Sequence, residues 1–517
     1  MRFPILLRFI LLLCAPIVVT IACSATKQTQ LDSTPSRDGS MAFVDAPTTP
    51  RDATVDTLAP PKNLSPVVNG SRLRAQQVVA EGLSAWTGLW EDQDLGIWCT
   101  FTALADGSVR CLPQAGLQVS NIEYEDDTCS GPGVLTVPKS VNDRWNACNT
   151  PPNERYVYQS FTSCLPADLY RLLPQVRQLF LPGDEIYPAT RYILQGEECK
   201  PLTLNETYRY YRLNVVDTAP FLQAHVETHA PLAGERLGPV ELVGEDGAKQ
   251  RLAFFDTQRE GRCSFVQTDT NEWRCMPTHN AAYTSPLYLS EPTCTEPATS
   301  VITGCNQHHV ASRTKGDDCI SRTRLFELGA TLEQLYRENS AGECVASTAP
   351  ADYHALGPEL PPSLFVSASL GTASTSGRLA PYGLDAAIDG PLNEKIWDNH
   401  LNVRCGFLIA ADGKRRCLPA WEPTNSGVTY SDPQCVELIV PSEGCGINPR
   451  YVLLIEARES GCGYHIRVYE PGANLEAGLP IYQWLGGECV KSTMVTEDHY
   501  AFGAEAPPEG FVEGEVR

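Results

Sequence analysis

Hydrophobic and polar positions alternate in short runs along most of the chain, and one pair of runs comes back. Cys99-Thr-Phe-Thr-Ala-Leu alternates, breaks at Ala105-Asp106-Gly107, and resumes as Val109-Arg-Cys111-Leu-Pro113. A period of two places every second side chain on one face of a strand. An Asp-Gly pair between two such runs is a hairpin signal. The stretch returns as Cys405-Gly-Phe407 to Asp412-Gly413 to Cys417-Leu-Pro419, and more loosely from Cys263-Ser-Phe265 to Cys275-Met-Pro277; its two cysteines stand twelve residues apart each time. Gly107 and Gly413 take positive φ without steric cost. The same offset in the middle copy holds Asn271, and Asn tolerates that conformation better than other residues with a side chain beyond Cβ. A three-residue loop sets Phe101 opposite Cys111 and leaves Cys99 diagonal to Cys111, on the same face. A bond between the two cysteines is sterically open but not required.

Around this hairpin lies a longer repeat. Arg-Leu opens each copy (Arg72-Leu73, Arg236-Leu237, Arg378-Leu379), and an aspartate precedes the first hairpin cysteine by seven residues (Asp92, Asp256, Asp398). Aromatics stand beside that aspartate: Trp90, Phe254 with Phe255, and Trp397. An acid lies three residues before the third cysteine (Asp126, Glu291, Asp432), and a glutamate precedes the sixth (Glu198, Glu343, Glu488). The second and third copies close on Gly357-Pro-Glu359 to Phe365-Val366 and Gly503-Ala-Glu505 to Phe511-Val512; the first has a degenerate version between Tyr210 and Leu222. The expected modules are 71–230, 231–372 and 373–517, with Ser367 to Gly377 the clearest linker. Leu325, Leu328, Leu332 and Leu335 have helical spacing, but Arg324-Leu-Phe-Glu-Leu-Gly329 aligns with Arg467-Val-Tyr-Glu-Pro-Gly472, so both are read as strands. Leu165 to Phe180, within extra residues of the first module, is read as a short helix.

Residues 1–22 carry Arg2 and Arg8 ahead of an apolar run, the pattern of a signal peptide. The run ends in Thr20-Ile21-Ala22-Cys23, similar to the lipobox of bacterial lipoproteins, which implies lipidation of Cys23. Residues 23–70, rich in Ser, Thr, Pro and Asp, read as a flexible tether.

Of 20 cysteines, Cys14 and Cys23 fall in or beside the signal, and the others form three sets of six. The sets are Cys99, Cys111, Cys129, Cys148, Cys164 and Cys199; Cys263, Cys275, Cys294, Cys305, Cys319 and Cys344; and Cys405, Cys417, Cys435, Cys445, Cys462 and Cys489. Six cysteines allow 15 pairings, and the sequence leaves all of them open. This density points to disulfides in an oxidising compartment rather than to zinc, which needs closer spacing. With 40 prolines and 39 glycines, the expected fold is all-β: three disulfide-bonded modules of short antiparallel strands and hairpins. They can stand as separate beads or assemble into one propeller-like or barrel-like body.

The formal net charge of −22 repels nucleic acid and anionic membrane surfaces. His225-Val-Glu-Thr-His229 lacks the spacing of a metalloprotease helix, and His308-His309 reads as an exposed loop, so no metal and no cofactor are expected. Asp92, Asp256, Asp398, Asp126, Glu291 and Asp432 are the candidate ligand contacts, against a structural role in turns. A catalytic pair seldom needs to occur three times in one chain, so no catalytic residue is assigned.

The run Trp397-Asp398, Cys405-Gly-Phe407, Ala411-Asp412-Gly413, Cys417-Leu-Pro419, Tyr430-Ser-Asp432 and Cys435, closed by Gly503-Ala-Glu505 and Phe511-Val512, resembles a repeat of uncharacterised myxobacterial-type lipoproteins. The resemblance implies location and architecture and no catalytic residues. The expectation is a non-enzymatic binding or structural protein of the cell envelope, lipid-anchored, outer-membrane, periplasmic or surface-facing, with an extracellular glycan or protein as partner. The alternative is an extracytoplasmic enzyme acting on polysaccharide or another extracellular polymer.

Overall fold

The computed structural model describes residues 67–517 apart from 82, 115–116, 120, 139–155, 161–171, 196–197, 207, 232–234, 279–280, 303–306, 316–320, 340–341, 348–351, 373–376, 385–395, 420–423, 426–428, 442–448, 458–463, 476–477, 486–487 and 493–498. The signal peptide, Cys14, Cys23 and most of the tether lie outside them, as do Cys148, Cys164, Cys305, Cys319, Cys445 and Cys462. The fold is all-β, with no α-helix among the described residues.

Each repeat begins with a meander of four strands. In the first these are Leu73–Ala80, Leu83–Asp92, Ile97–Leu104 and Val109–Pro113. In the second they are Leu237–Gly244, Lys249–Asp256, Gly261–Gln267 and Trp273–Met276, and in the third Leu379–Leu384, Ile396–Asp398, Val403–Ile409 and Arg415–Pro419. The hairpin register is the expected one: Phe101 faces Cys111, Phe265 faces Cys275 and Phe407 faces Cys417. The turn residues Gly107, Asn271 and Gly413 have φ of 86, 63 and 78°. Each hairpin carries its diagonal disulfide, Cys99–Cys111, Cys263–Cys275 and Cys405–Cys417.

After the meander the chain forms a further set of paired strands, which in the second repeat closes as a ring of five. Ala281–Leu289 pairs with both Pro297–Ser300 and His309–Lys315; Ser321–Thr331 and Tyr353–Leu360 complete the circuit. One of its five pairings, Ala281–Leu289 with His309–Lys315, is parallel. Five strands can close a circuit only with an odd number of parallel pairs. Gly329 and Gly357 sit where two strands of this ring cross, and a Cβ on either would come within 2.6 Å or 2.9 Å of the facing carbonyl oxygen. The same crossing recurs at Gly472 and Gly503. Glycine in both motifs is thus demanded by backbone contact.

An exit strand then leaves the ring and joins consecutive repeats. Gln223–Thr228 bonds to the first hairpin at Val109 and Arg110 and runs along Leu237–Gly244 of the second repeat. Ser367–Ala368 and Leu370–Thr372 do the same between the second and third repeats. The last exit strand, Glu515–Val516, turns back to Leu73–Ala80 of the first repeat. The register is identical at all three junctions: Val226 faces Leu242, Leu370 faces Leu384, and Val516 faces Val78. The three repeats therefore form a closed circuit, and in the first and third the hydrophobic face of the disulfide hairpin is covered by the opening strands of the repeat that follows. Trp90, Phe101, Cys99 and Cys111 pack on Leu242 and Ala248 of the second repeat, and Cys405 and Cys417 pack on Ala80 and Ala85 of the first.

Four expectations are corrected. Gln175–Ile186 is a strand, so the helix read over Leu165 to Phe180 does not form over its described end. Val176, Leu179 and Phe180 are buried between facing strands, and that pairing overrides local propensity. Ser367–Thr372 is the exit strand rather than free linker, Val67–Val68 pairs with Lys249–Gln250 inside the segment read as tether, and His309 opens a strand rather than lying in an exposed loop.

Candidate functional site

The candidate acids divide into two structural sets, each repeated three times. Asp92, Asp256 and Asp398 end the second strand of each meander, fully or almost fully buried. Each is gripped by the arginine that opens its own repeat. Arg72 Nε and Nη2 donate to the two oxygens of Asp92 at 2.7 and 2.6 Å, and Arg236 donates to Asp256 at 2.6 and 2.6 Å. Arg378 holds Asp398 at 2.8–3.1 Å. The second nitrogen also donates to a main-chain carbonyl at the end of the repeat: Pro220 at 3.0 Å, Leu364 at 2.9 Å and Gly510 at 2.7 Å. The next carbonyl, of Phe221, Phe365 or Phe511, accepts 2.8 Å bonds from Arg110, Arg274 and Arg416 on the hairpin. Beginning, middle and end of every repeat are thus drawn together by two arginines and one carboxylate.

Asp126, Glu291 and Asp432 lie in exposed turns beside the third cysteine. Asp126 accepts from the backbone N–H of Thr128, Ser130 and Gly131, and Asp432 from those of Gln434, Val436 and Glu437. Glu291 takes the hydroxyls of Thr293 and Thr295. These bonds hold the three carboxyls below their ordinary titration range: the Thr128 hydroxyl first at Asp126, Thr295 at Glu291, and the Glu437 N–H at Asp432. The cysteines they flank have φ of 51, 55 and 54°, a left-handed backbone that residues with a Cβ seldom adopt. Each is bonded to the sixth cysteine of its repeat: Cys129–Cys199, Cys294–Cys344 and Cys435–Cys489. The turn and the bridge fix one another. Of the remaining recurring acids, Glu198 lies beside Lys200 and Glu343 bonds Asn339, while Glu488 is exposed.

The structure does not bring the two sets of acids together. The Asp92 set sits between meander and exit strand, the Asp126 set at the outer hairpin of the five-stranded ring. The recurring aromatics divide too: Trp90 and Phe254 are core, whereas Phe255 and Trp397 are half-buried on the opposite face.

One polar cluster belongs to the first repeat alone. Glu123 and Arg191, both buried, form an ion pair; Thr136 donates to Glu123, and Arg191 bonds the Thr203 carbonyl and lies 4.9 Å over the Tyr210 ring. The positions equivalent to Glu123 are Tyr288 and Thr429, so the repeat alignment itself marks the departure. In the other two repeats the closing glutamates take up arginines on the ring: Arg324 with Glu359 and Arg467 with Glu505.

His225, Glu227 and His229 share one face of an exit strand, with Glu241 opposite: His225 Nε2 lies 2.9 Å from Glu227 and His229 Nε2 3.0 Å from Glu241. Among the described residues, no group of three His, Cys, Asp or Glu side chains is placed to hold a metal ion. A cavity lined by Ala410, Leu418, Ile466, Val468 and Phe511 measures about 10 Å³, room for one water and far below the roughly 300 Å³ of small-molecule sites.

Residues 167–422 match the model of a family of unknown function, DUF7481. No curated protein and no solved structure matches the chain. The matched stretch starts inside the first repeat and ends just after the third hairpin at Pro419, so it crosses both covalent junctions, with their exit strands Gln223–Thr228 and Ser367–Thr372.

Proposed function

We propose that this chain is a lipid-anchored protein of the cell envelope, held through Cys23, with a non-catalytic binding or structural role facing the outside of the cytoplasm. The observation that carries this reading is how the recurring acids are used. In every repeat they close the fold or cap a turn, and none converges with another into an acid–base pair. The six disulfides among the described residues support an oxidising compartment. Three similar units held in one circuit suit a polymeric partner, glycan or protein, because linked weak contacts gain avidity.

The test uses the full chain carrying Cys23→Ala, purified from the soluble fraction and applied to arrays of extracellular polysaccharides and envelope proteins. Retention of an extended polymer, without turnover, is the expected result. Hydrolysis of a polymer by the same preparation overturns the non-catalytic reading in favour of an extracytoplasmic enzyme. Cys23→Ala protein that stays with the membrane overturns the anchor.

A further inference from the structure

The meander of the first repeat carries one row of side chains that crosses its strands. Arg74 faces Glu91, Glu91 faces Trp98, and the N–H of Gln114 bonds the Trp98 carbonyl at 2.9 Å, which brings the end of the fourth strand into the row. Residues directly opposite one another share a face of the sheet. The next row, Ala75, Trp90 and Cys99, points the other way and is buried. The first row therefore looks outward: Trp98 is 37% exposed, and Arg74, Glu91 and Gln114 are half-buried. Strands lie about 4.7–4.9 Å apart, so the four side chains mark a track of roughly 14 Å across the sheet. The second and third repeats also set an aromatic beside an arginine in this row, Phe255 with Arg262 and Trp397 with Arg404. There the aromatic stands where the first repeat has Glu91, and Arg404 is buried, so the first repeat has the open version.

Resting on the non-catalytic binding reading above, we infer that this track is a saccharide-binding surface, whose ligand is an uncharged polysaccharide laid across the strands. The indole of Trp98 offers a flat apolar face to the C–H side of a sugar ring. The guanidinium of Arg74, the carboxylate of Glu91 and the amide of Gln114 are planar groups that donate to and accept from hydroxyls. Arg74 and Glu91 cancel in charge, and the chain as a whole, at −22, repels an anionic polymer. A polypeptide adds to a sheet along an edge, through main-chain bonds. A track that crosses four strands offers side chains instead, and suits a polymer recognised by its rings and hydroxyls. An open track rather than a cavity fits a long chain held by several shallow contacts, whose linkage supplies the avidity.

The experiment runs the full chain carrying Cys23→Ala on native gels cast with a soluble neutral β-glucan, with dextran, or with alginate as the anionic control. At least one of the neutral polymers is expected to slow the protein, and alginate is not. Trp98→Ala is expected to weaken that binding about tenfold and Trp98→Tyr to recover most of it, because the site needs a ring face. Melting curves show whether each variant folds; if Trp98→Ala does not, Glu91→Ala replaces it in the comparison and is expected to lose affinity severalfold. Retardation by a neutral glycan that Trp98→Ala and Glu91→Ala keep in full overturns this site and leaves the binding reading standing. Retardation by alginate equal to or greater than that by the neutral polymers overturns the ligand class. No retardation by any of the three overturns the inference, and the arrays of polysaccharides and envelope proteins then decide separately whether the binding reading stands.

Discussion

Arg72 and Asp92 meet as a fork against a carboxylate, two bonds of 2.7 and 2.6 Å across twenty residues of sequence. The same two residue types meet at the same offset in each of the other repeats. The arginine is about one-quarter exposed and the aspartate wholly buried, so the pair is asymmetric. Removing the arginine strands a buried charge; removing the carboxylate leaves a cation that can turn towards water. Arg72→Met should therefore cost more than Asp92→Asn, roughly 3–5 kcal/mol against less than that. Denaturant midpoints of the two variants check this, and equal losses would contradict it.

The turn chemistry makes a second prediction. Gly107 has nothing within 4 Å of a built Cβ, so only its backbone angle, φ 86°, restricts it. Gly107→Asn should be tolerated, since Asn271 already occupies the equivalent place at φ 63°. Gly107→Val should lose about 1–2 kcal/mol through left-handed backbone strain. Thermal melting of the pair separates a conformational requirement from a steric one.

How much of this was legible beforehand follows from range. The hairpin, its three-residue loop and the left-handed Asn271 are local, fixed by residues within a dozen positions, and they could be read. The arginine and the aspartate of each clasp were both visible as fixed points of the repeat, yet nothing in a single copy says that they touch. Their union depends on strand register and on a carbonyl at Pro220, Leu364 or Gly510 from far along the chain. The pairing of third with sixth cysteine was hidden for the same reason. The misread helix over Leu165 to Phe180 shows the converse error: the extra residues of the first module suggested a helix, and long-range pairing makes its described end a strand. The closing of the third repeat on the first was also invisible, because nothing local to Glu515–Val516 says that its partner is Val78–Val79 at the other end of the repeats.

Acid should weaken the five-stranded ring of the second repeat and the corresponding five-stranded sheet of the third. Arginine bonds hold Glu359 and Glu505 below the usual carboxyl range, through Arg324 and Arg467 respectively. A carboxyl whose value is lowered by folding contributes stability that is complete above its unfolded value, about 4.3, and is lost as pH falls through the folded one. Wild-type stability should therefore drop between roughly pH 5 and pH 3, and Glu359→Gln with Glu505→Gln should flatten that limb. An unchanged slope in the doubly substituted chain would contradict the assignment.

The bridges should differ in weight. Cys129–Cys199 spans 70 residues and Cys99–Cys111 only 12. By loop entropy the first stabilises by about 4 kcal/mol and the second by about 3 kcal/mol. Loss of the longer bridge also frees a left-handed Cys129, so Cys129→Gly with Cys199→Ala should recover part of the loss seen with Cys129→Ala and Cys199→Ala. Melting temperatures of the two double variants measure that recovery.

The central claim is that one covalently stapled unit is wired the same way three times. Peptide mapping of the mature protein under non-reducing conditions tests it most directly. The account predicts Cys99–Cys111, Cys263–Cys275 and Cys405–Cys417, together with Cys129–Cys199, Cys294–Cys344 and Cys435–Cys489, and an intact mass with no free thiol among the eighteen cysteines of the three repeats. Bridges that join different repeats, or free thiols at any of these positions, would contradict it.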